Sequence, residues 1–463
     1  LSVAFSLDGR YVISGGLDST SKIWEVSSGK LYASLISLNE SDWAVVTPDG
    51  FFDSSEDGKK SMYWVTGLNA YSLDRFFDNF YRPSLLVEVM RRKKIKMPDI
   101  NLANKLKAPP PNITIISPKT GEKLAGGTIK VIVKVEDLGG GAEDIRLYHN
   151  GKRVSINKRD LALTSKTGIF TKIVNVQLVP GANILKATAY SRERIEANPY
   201  EVTVLFKGTS KTSTSYILAV GINLYKNKKL NLNYAKPDAE SIVSFLKSKS
   251  SILFNNLEVI TLFNKDATKK NIFSALKKIA QNSKPEDAFT FYYAGHGVMI
   301  DENFYFITSE NTRLYADEKV KANAISDVSF RGLLKEIKAL KQVIIIDSCQ
   351  SGKVAQMFAM RGAAEEKALA QLARAAGVYV LSSTQQDQFA TEFNELGHGV
   401  FTYALLQGLK GNADGSPRDG KVTIKELSSY LDDKVPELTK KYKGEAQYPN
   451  TFAIGQDFPI VIN

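Results

Sequence analysis

The spacing of hydrophobic positions changes character along this chain. Up to about residue 52 they fall in short alternating runs, such as Val3-Ala-Phe-Ser-Leu and Tyr11-Val-Ile-Ser, punctuated by Asp8-Gly9 and Gly15-Gly16. Short antiparallel strands with tight turns are predicted there. From 112 to 206 strands are predicted at 113–116, 129–135, 145–149, 184–190 and 202–206, with a hairpin signal at Asn150-Gly151. Turns at intervals of about 8–12 residues indicate a β-sandwich. Beyond 215 the pattern changes again. Apolar runs at 216–222, 257–262, 288–293, 343–347 and 378–382 alternate with amphipathic stretches at 238–246, 269–280, 327–340 and 400–409. Such alternation predicts a mainly parallel sheet covered by helices on both faces, with its active site at the carboxyl ends of the strands.

These textures divide the chain into an N-terminal unit, 1–66, a helical connector and linker, 67–108, a sandwich, 109–207, a polar linker, 208–214, and an α/β unit, 215–463. The first unit runs from Val3 through Asp18 to Lys22-Ile-Trp-Glu25 and Gly29, and resembles a WD-repeat blade with Glu25 where aspartate is usual. A second blade-like stretch, Ser41 to Phe52, follows. The resemblance implies an incomplete β-propeller that binds a protein partner, with further blades upstream of Leu1. The basic run Arg91-Arg-Lys-Lys94 reads as a solvated helix end, and Pro109-Pro-Pro111 as a stiff boundary. The sandwich is read as immunoglobulin-like, a spacer or docking surface.

Composition narrows the function classes. With 463 residues the chain exceeds one core. No run of about 18 apolar residues is present, so no membrane span is expected. The net charge of +12 is spread over the whole length, the pattern of a solvated surface, and no nucleic-acid motif accompanies it. A single cysteine excludes an internal disulfide and a multi-cysteine metal site, and a free thiol suits the cytoplasm. The chain opens at Leu1 inside a repeat and reads as a fragment.

That cysteine lies in one of two motifs at predicted strand ends. Tyr292-Tyr-Ala-Gly-His296-Gly297 follows one strand, and Asp347-Ser-Cys349-Gln-Ser-Gly352 follows another, 53 residues after His296. The interval accommodates a hairpin and a crossover helix, so the two strands can be neighbours. A thiolate made by an adjacent imidazole is a nucleophile, and the imidazolium can then protonate a leaving amine. The flanking glycines are expected to let a substrate backbone approach. The N–H groups of Gly297 and Cys349 are the expected oxyanion donors. Of the other histidines, His149 is expected on the surface, and His398 in a groove loop or cap.

Together, in this order and strand context, the two motifs resemble those of the caspase and metacaspase cysteine peptidases over about 215–463. The resemblance implies an α/β fold, a Cys349–His296 dyad, and hydrolysis of protein or peptide substrates. It also implies that Asp347 and Asp238 form an acidic pocket selecting Arg or Lys, although Asp238 also reads as an N-terminal helix residue. Ala294 departs from the serine often found two residues before the histidine. The stretch 353–377 is either a processing loop cut after Arg361 or a helix over 363–376. No metal or cofactor is expected, and calcium activation stays open. An EF-hand alignment at 414–426 fails, because Gly415 falls where the first ligand belongs, and Thr423 to Glu426 reads as a capping box. The rival function is an inactive homologue acting as a scaffold.

Overall fold

The structure, a computed structural model, describes residues 2–66, 69–90, 109–155, 161–162, 168–209, 212–314, 317–349, 358–383, 392–393 and 397–463. In the C-terminal unit the main sheet contains β1 (Thr214–Gly221), β2 (Asn256–Phe263), β3 (Ala288–Ile300), β4 (Lys341–Cys349), β5 (Tyr379–Ser382) and β6 (Asn450–Ala453). Their order is β2-β1-β3-β4-β5-β6. The first five run parallel, and β6 closes one edge antiparallel to β5.

Among the described residues six helices cover this sheet: α1 (Ala235–Leu253), α2 (Lys269–Asn282), α3 (Asp327–Glu336), α4 (Phe358–Ala376), α5 (Val400–Gln407) and α6 (Ile424–Lys443). Phe291, Tyr293, Ile344 and Ile346 pack with α2, α3 and α4. Tyr292, Val343 and Ile345 pack on the other face with α1, α5 and α6. Both faces are buried, which is why the strands are apolar at consecutive positions. β3 is longer than its apolar run, 13 residues, because its far end pairs with Asn303–Phe306. The capping box opens α6: Glu426 N–H donates to Thr423 Oγ1 at 3.3 Å and Thr423 N–H to Glu426 Oε2 at 2.8 Å.

The backbone of Arg361 and Gly362 lies in α4, so the helical reading of 353–377 describes this region from 358 onward. Cleavage after Arg361 would require the first turns of α4 to unwind.

The described residues between 109 and 207 form two sheets, of four and five strands, closed on a common core. Val131, Val133 and Val174 of one face Leu147, Leu185 and Val202 of the other. Asn150 and Gly151 adopt φ of 47° and 83°, the two positive angles of a type I′ hairpin turn. The strand Ile169–Gln177, absent from the expected set, is central to the four-stranded sheet. One expectation needs correction. His149 is not on the surface: it is 2% exposed, its Nε2 lies 2.8 Å from Asn183 Oδ1, and burial lowers its pKa. The sandwich, expected as a spacer or docking surface, packs against the α/β unit. A Cβ on Gly151 would lie 2.1 Å from Gly455 Cα, and Tyr148 Oη donates to the Arg374 carbonyl at 3.2 Å.

The N-terminal unit also differs from expectation. Its six strands, from Ser2–Phe5 to Phe52–Ser54, pair consecutively in one antiparallel sheet. The stretch read as a second blade continues the first, because Leu31–Ser37 pairs directly with Trp43–Val46. The region after 67 is no mere connector: Tyr71, Leu73, Phe76, Phe77 and Phe80 share a core with Phe51 and Phe52. The basic run 91–94 lies outside the described residues.

All three units meet at Arg374, near the end of α4. Its guanidinium bonds both the Asp74 carboxylate of the N-terminal unit and the Glu196 carboxylate of the sandwich. Burial opposes the charge on Asp74, yet Arg374 outweighs that cost and leaves the Asp74 pKa lowered. Replacing Arg374 with Ala strands two largely buried carboxylates and is expected to cost about 3 kcal/mol. The denaturation midpoint of the whole chain measures it, and an unchanged midpoint would show that the junction is not held by this residue.

Candidate active site

The site is assembled at the carboxyl ends of β3 and β4. These strands share an unbroken parallel register in which Ala294 is opposite Asp347, Gly295 opposite Ser348, and His296 opposite Cys349. Neighbouring strands lie about 4.8 Å apart, so the main chains of the expected base and nucleophile are adjacent. Both residues lie within the strands and not in loops beyond them.

His296 is 3% exposed and is gripped from several sides. Its Nε2 lies 2.8 Å from the Leu230 carbonyl. A carbonyl only accepts, so Nε2 carries the proton and Nδ1 is left with a lone pair, the tautomer a base needs. The His296 main-chain N–H donates to Tyr225 Oη at 2.9 Å, and the two rings are 5.0 Å apart. Tyr293 Oη donates to the His296 carbonyl at 2.6 Å.

The Leu230 carbonyl is placed by a loop rich in asparagine. Tyr225 N–H donates to Asn231 Oδ1 at 3.0 Å, and Asn227 Nδ2 donates to the Thr312 carbonyl at 2.7 Å. Lys236 N–H donates to Asn223 Oδ1, also at 2.7 Å, which ties the loop to the start of α1. Side chains of this kind replace the backbone pairing that an irregular segment lacks. Sequence reasoning missed Leu230, Tyr225 and these asparagines. The run Asn223-Leu-Tyr-Lys-Asn227 to Asn231-Leu-Asn233 was the available signal.

The flanking glycines have a reason within the fold itself. A Cβ on Gly295 would lie 2.9 Å from both Tyr225 Oη and Tyr293 Oη, and one on Gly297 2.5 Å from the Phe304 ring. They make room for the protein's own aromatic residues. Gly297 pairs with Phe306, while Ile307 N–H donates to the His296 carbonyl at 3.0 Å. Gly297 and Phe306 are therefore a non-hydrogen-bonded pair, and the Gly297 N–H is not used by that strand.

Asp238 and Asp347 come together beside the expected dyad. Both are buried, at 3% and 8% exposure. Asp238 Oδ1 is 2.6 Å from His398 Nδ1, and its Oδ2 accepts from Gly399 N–H at 3.1 Å. Asp347 Oδ2 accepts from Thr402 Oγ1 at 2.6 Å, and Thr402 Oγ1 is itself 2.6 Å from Tyr292 Oη. A Cβ on Gly399 would lie 3.2 Å from Asp238 Oδ2 and 3.4 Å from Asp347 Oδ2, so both carboxylates border one glycine. Burial, and then the charge of Asp238, push the Asp347 pKa up to about 6. His398 thus belongs to the carboxylate pocket. Asp238 also sits in the first turn of α1, so its helix-terminal reading holds alongside.

Among the described residues no group of three or more His, Cys, Asp or Glu could hold a metal ion. The Arg361 side chain lies outside the described set.

The caspase domain description (Peptidase C14) matches residues 214–457, just over half of the chain. Metacaspase-1 of Plasmodium falciparum is 26% identical over 144 residues, 29% of this chain and 23% of that protein. Metacaspase-1 of Debaryomyces hansenii is 22% identical over 222 residues, 46% of this chain and 45% of its own. The chain therefore spans less than half the length of these curated relatives. Among solved structures, protein GSU0716 of Geobacter sulfurreducens aligns over 54% of this chain and 99% of its own, at 18% identity and a TM-score of 0.36. The fibronectin(III)-like modules of Clostridium thermocellum CbhA align over 20% of this chain and 95% of theirs, at 12% identity and 0.16. Scores this low carry no structural argument. The match across 214–457, on a chain that sets His296 beside Cys349, makes this protein a member of the caspase-domain family of cysteine peptidases.

Proposed function

We propose that the chain is an endopeptidase that cleaves after arginine or lysine, with Cys349 as nucleophile and His296 as general base. The observation that carries this reading is the register pair His296–Cys349, flanked by two buried carboxylates. Nδ1 of His296 takes the thiol proton, and the thiolate adds to the carbonyl carbon of the scissile bond. The oxyanion is received by the N–H groups of Gly297 and Cys349. The imidazolium returns its proton to the amine as the C–N bond breaks, and water then hydrolyses the thioester by the same base. Asp238 and Asp347 receive the cationic side chain on the amino side of the cleaved bond through charge-assisted hydrogen bonds.

The accessory units are read as control elements. α4 is the first described element after Cys349, and Ala370 on it is buried in the N-terminal core. Tyr81 and Glu366 meet at 3.5 Å, and Arg374 closes the junction. A protein partner gripping the N-terminal sheet, whose first strand exposes Val3 and Phe5, would pull on the helix that follows the nucleophile.

Fluorogenic peptides ending in arginine, lysine or aspartate test the reading. Turnover is expected for the first two, and Cys349→Ala or His296→Ala should each lower it by at least about a thousandfold. Absence of turnover of all three peptides, with and without calcium, would favour the scaffold. Asn231→Ala, which unpins the loop that orients His296, should lower kcat about tenfold with KM little changed, measured on the arginine peptide. The pocket also makes a stability prediction. The folded pKa of Asp347, about 6, exceeds the ordinary 3.8, so the protonated acid favours the fold and that contribution is lost as pH rises from 4 through 6. Between pH 4 and 7 the natural protein should lose about 2 kcal/mol relative to Asp347→Asn, read from denaturant curves.

A further inference from the structure

Where the sandwich docks on the α/β unit, the two surfaces leave a cavity of about 420 Å3, a volume suited to a small molecule. The sandwich contributes Lys152 and Arg153 to its lining, and the α/β unit contributes Lys335, Glu336 and Lys338. Cations therefore surround the space against a single carboxylate. Arg153 is answered elsewhere, since its Nη2 donates to Asp144 Oδ1 at 2.8 Å. Glu336 is exposed at the rim, where Ser155 Oγ donates to its Oε1 at 3.4 Å. The lysines are left with little opposing charge.

Lys152 is the most buried of them. It follows the Asn150-Gly151 turn, and its main chain is pressed so closely on the α/β unit that a Cβ on Gly377 would lie 3.0 Å from Lys152 Cα. Docking leaves the residue 2% exposed. Its ammonium donates to the Arg153 carbonyl at 3.1 Å, and among the described residues no carboxylate pairs with it or with Lys335. An ion so placed is costly unless it is paired. Burial, and then Arg153 and Lys335, push the Lys152 pKa down to about 7. Burial, and then Arg153 and Arg331, push that of Lys335 down to about 8. The dipole of α3 accounts for a cation in its last turn, where Lys335 lies. It does not account for Lys152, brought to the same space from another unit.

We infer that the cavity is a binding site for a small multivalent oxyanion, a phosphate or carboxylate compound, held between Lys152 of the sandwich and Lys335 and Lys338 of the α/β unit. Such a guest supplies the missing counter-charge to both units at once, through charge-assisted hydrogen bonds. Its size is set by the cavity, because an ammonium as buried as that of Lys152 does not reach a flat macromolecular surface. No Phe, Tyr or Trp is among the described lining residues, so a nucleobase would find no such ring to stack on. Lys338 and Leu340 lead into β4, and Pro285 lies just ahead of β3, so the site is at the amino ends of these strands. Cys349 is at the other end of β4, roughly 30 Å away by the rise of a strand. The inference is independent of the peptidase reading.

Pyrophosphate and citrate, representing the two oxyanion classes, are each titrated calorimetrically into the whole chain at pH 7 and low salt. Saturable binding of at least one is expected, with a Kd below about 1 mM. Lys152→Met and Lys335→Met, which keep an unbranched apolar stem and remove the ammonium, should each weaken it at least about tenfold. Lys278→Ala, at an exposed lysine of α2 outside the cavity, should leave it unchanged. Saturating anion should raise the melting midpoint of the natural protein and not that of Lys152→Met, a difference that a lysine serving only to pack would not produce. Binding of pyrophosphate alone assigns the site to phosphate compounds, and binding of citrate alone to carboxylates. Failure of the natural protein to bind either anion would overturn the inference. So would binding that Lys335→Met, folded by its thermal melt, retains in full. Lys335 is half-buried at a helix end, so that variant decides the matter even if Lys152→Met does not fold.

Discussion

Nine consecutive residues of β3 face nine of β4, from Ala288 opposite Lys341 to His296 opposite Cys349. The pairing is held from both sides: Phe291 and Ile344 are buried in one core, and Tyr292 and Ile345 in the other. A slip of one residue would push each of these side chains toward the wrong layer, so the hydrophobic cores enforce the register. The main chains of His296 and Cys349 are thereby set side by side at the strand ends, by packing forces that act along the whole length of the strands. The carboxylate pocket inherits the same order, since Asp347 precedes Cys349 on one strand and Ala294 precedes His296 on the other.

Polar groups at this end of the sheet are expensive to bury and are paired accordingly. Asp347 is met by Thr402 and Asp238 by residues 398 and 399. Tyr225 and Tyr293 take up the main-chain N–H and carbonyl of His296, and the glycines beside it admit their hydroxyl groups.

The α/β unit was largely legible because buried parallel strands write themselves as apolar runs such as Val343-Ile-Ile-Ile346, and amphipathic helices separate them. His296, Cys349, Asp238 and Asp347 could be named from two motifs and a resemblance, and the structure brings the backbones of the first two and the carboxylates of the last two together. The Leu230 carbonyl could not be foreseen, because a main-chain oxygen leaves no mark on residue type. His149 was misplaced because its hairpin position suggested exposure, whereas the hairpin is pressed against the α/β unit. At the N-terminus, alternating strands fixed the secondary structure but not where one sheet stops and another begins. That depends on pairing between Leu31–Ser37 and Trp43–Val46, which the alternation itself does not specify.

The partner that aims the His296 imidazole belongs to the main chain of Leu230, so no exchange of that side chain removes the carbonyl itself. The Leu230 side chain packs at the margin of the core, and the bond to His296 depends instead on the length and path of the segment from Asn223 to Asn233. Genetic variation that spares the dyad can still misdirect its imidazole by inserting or deleting a single residue in that span, a form of damage invisible to any catalogue of active-site side chains.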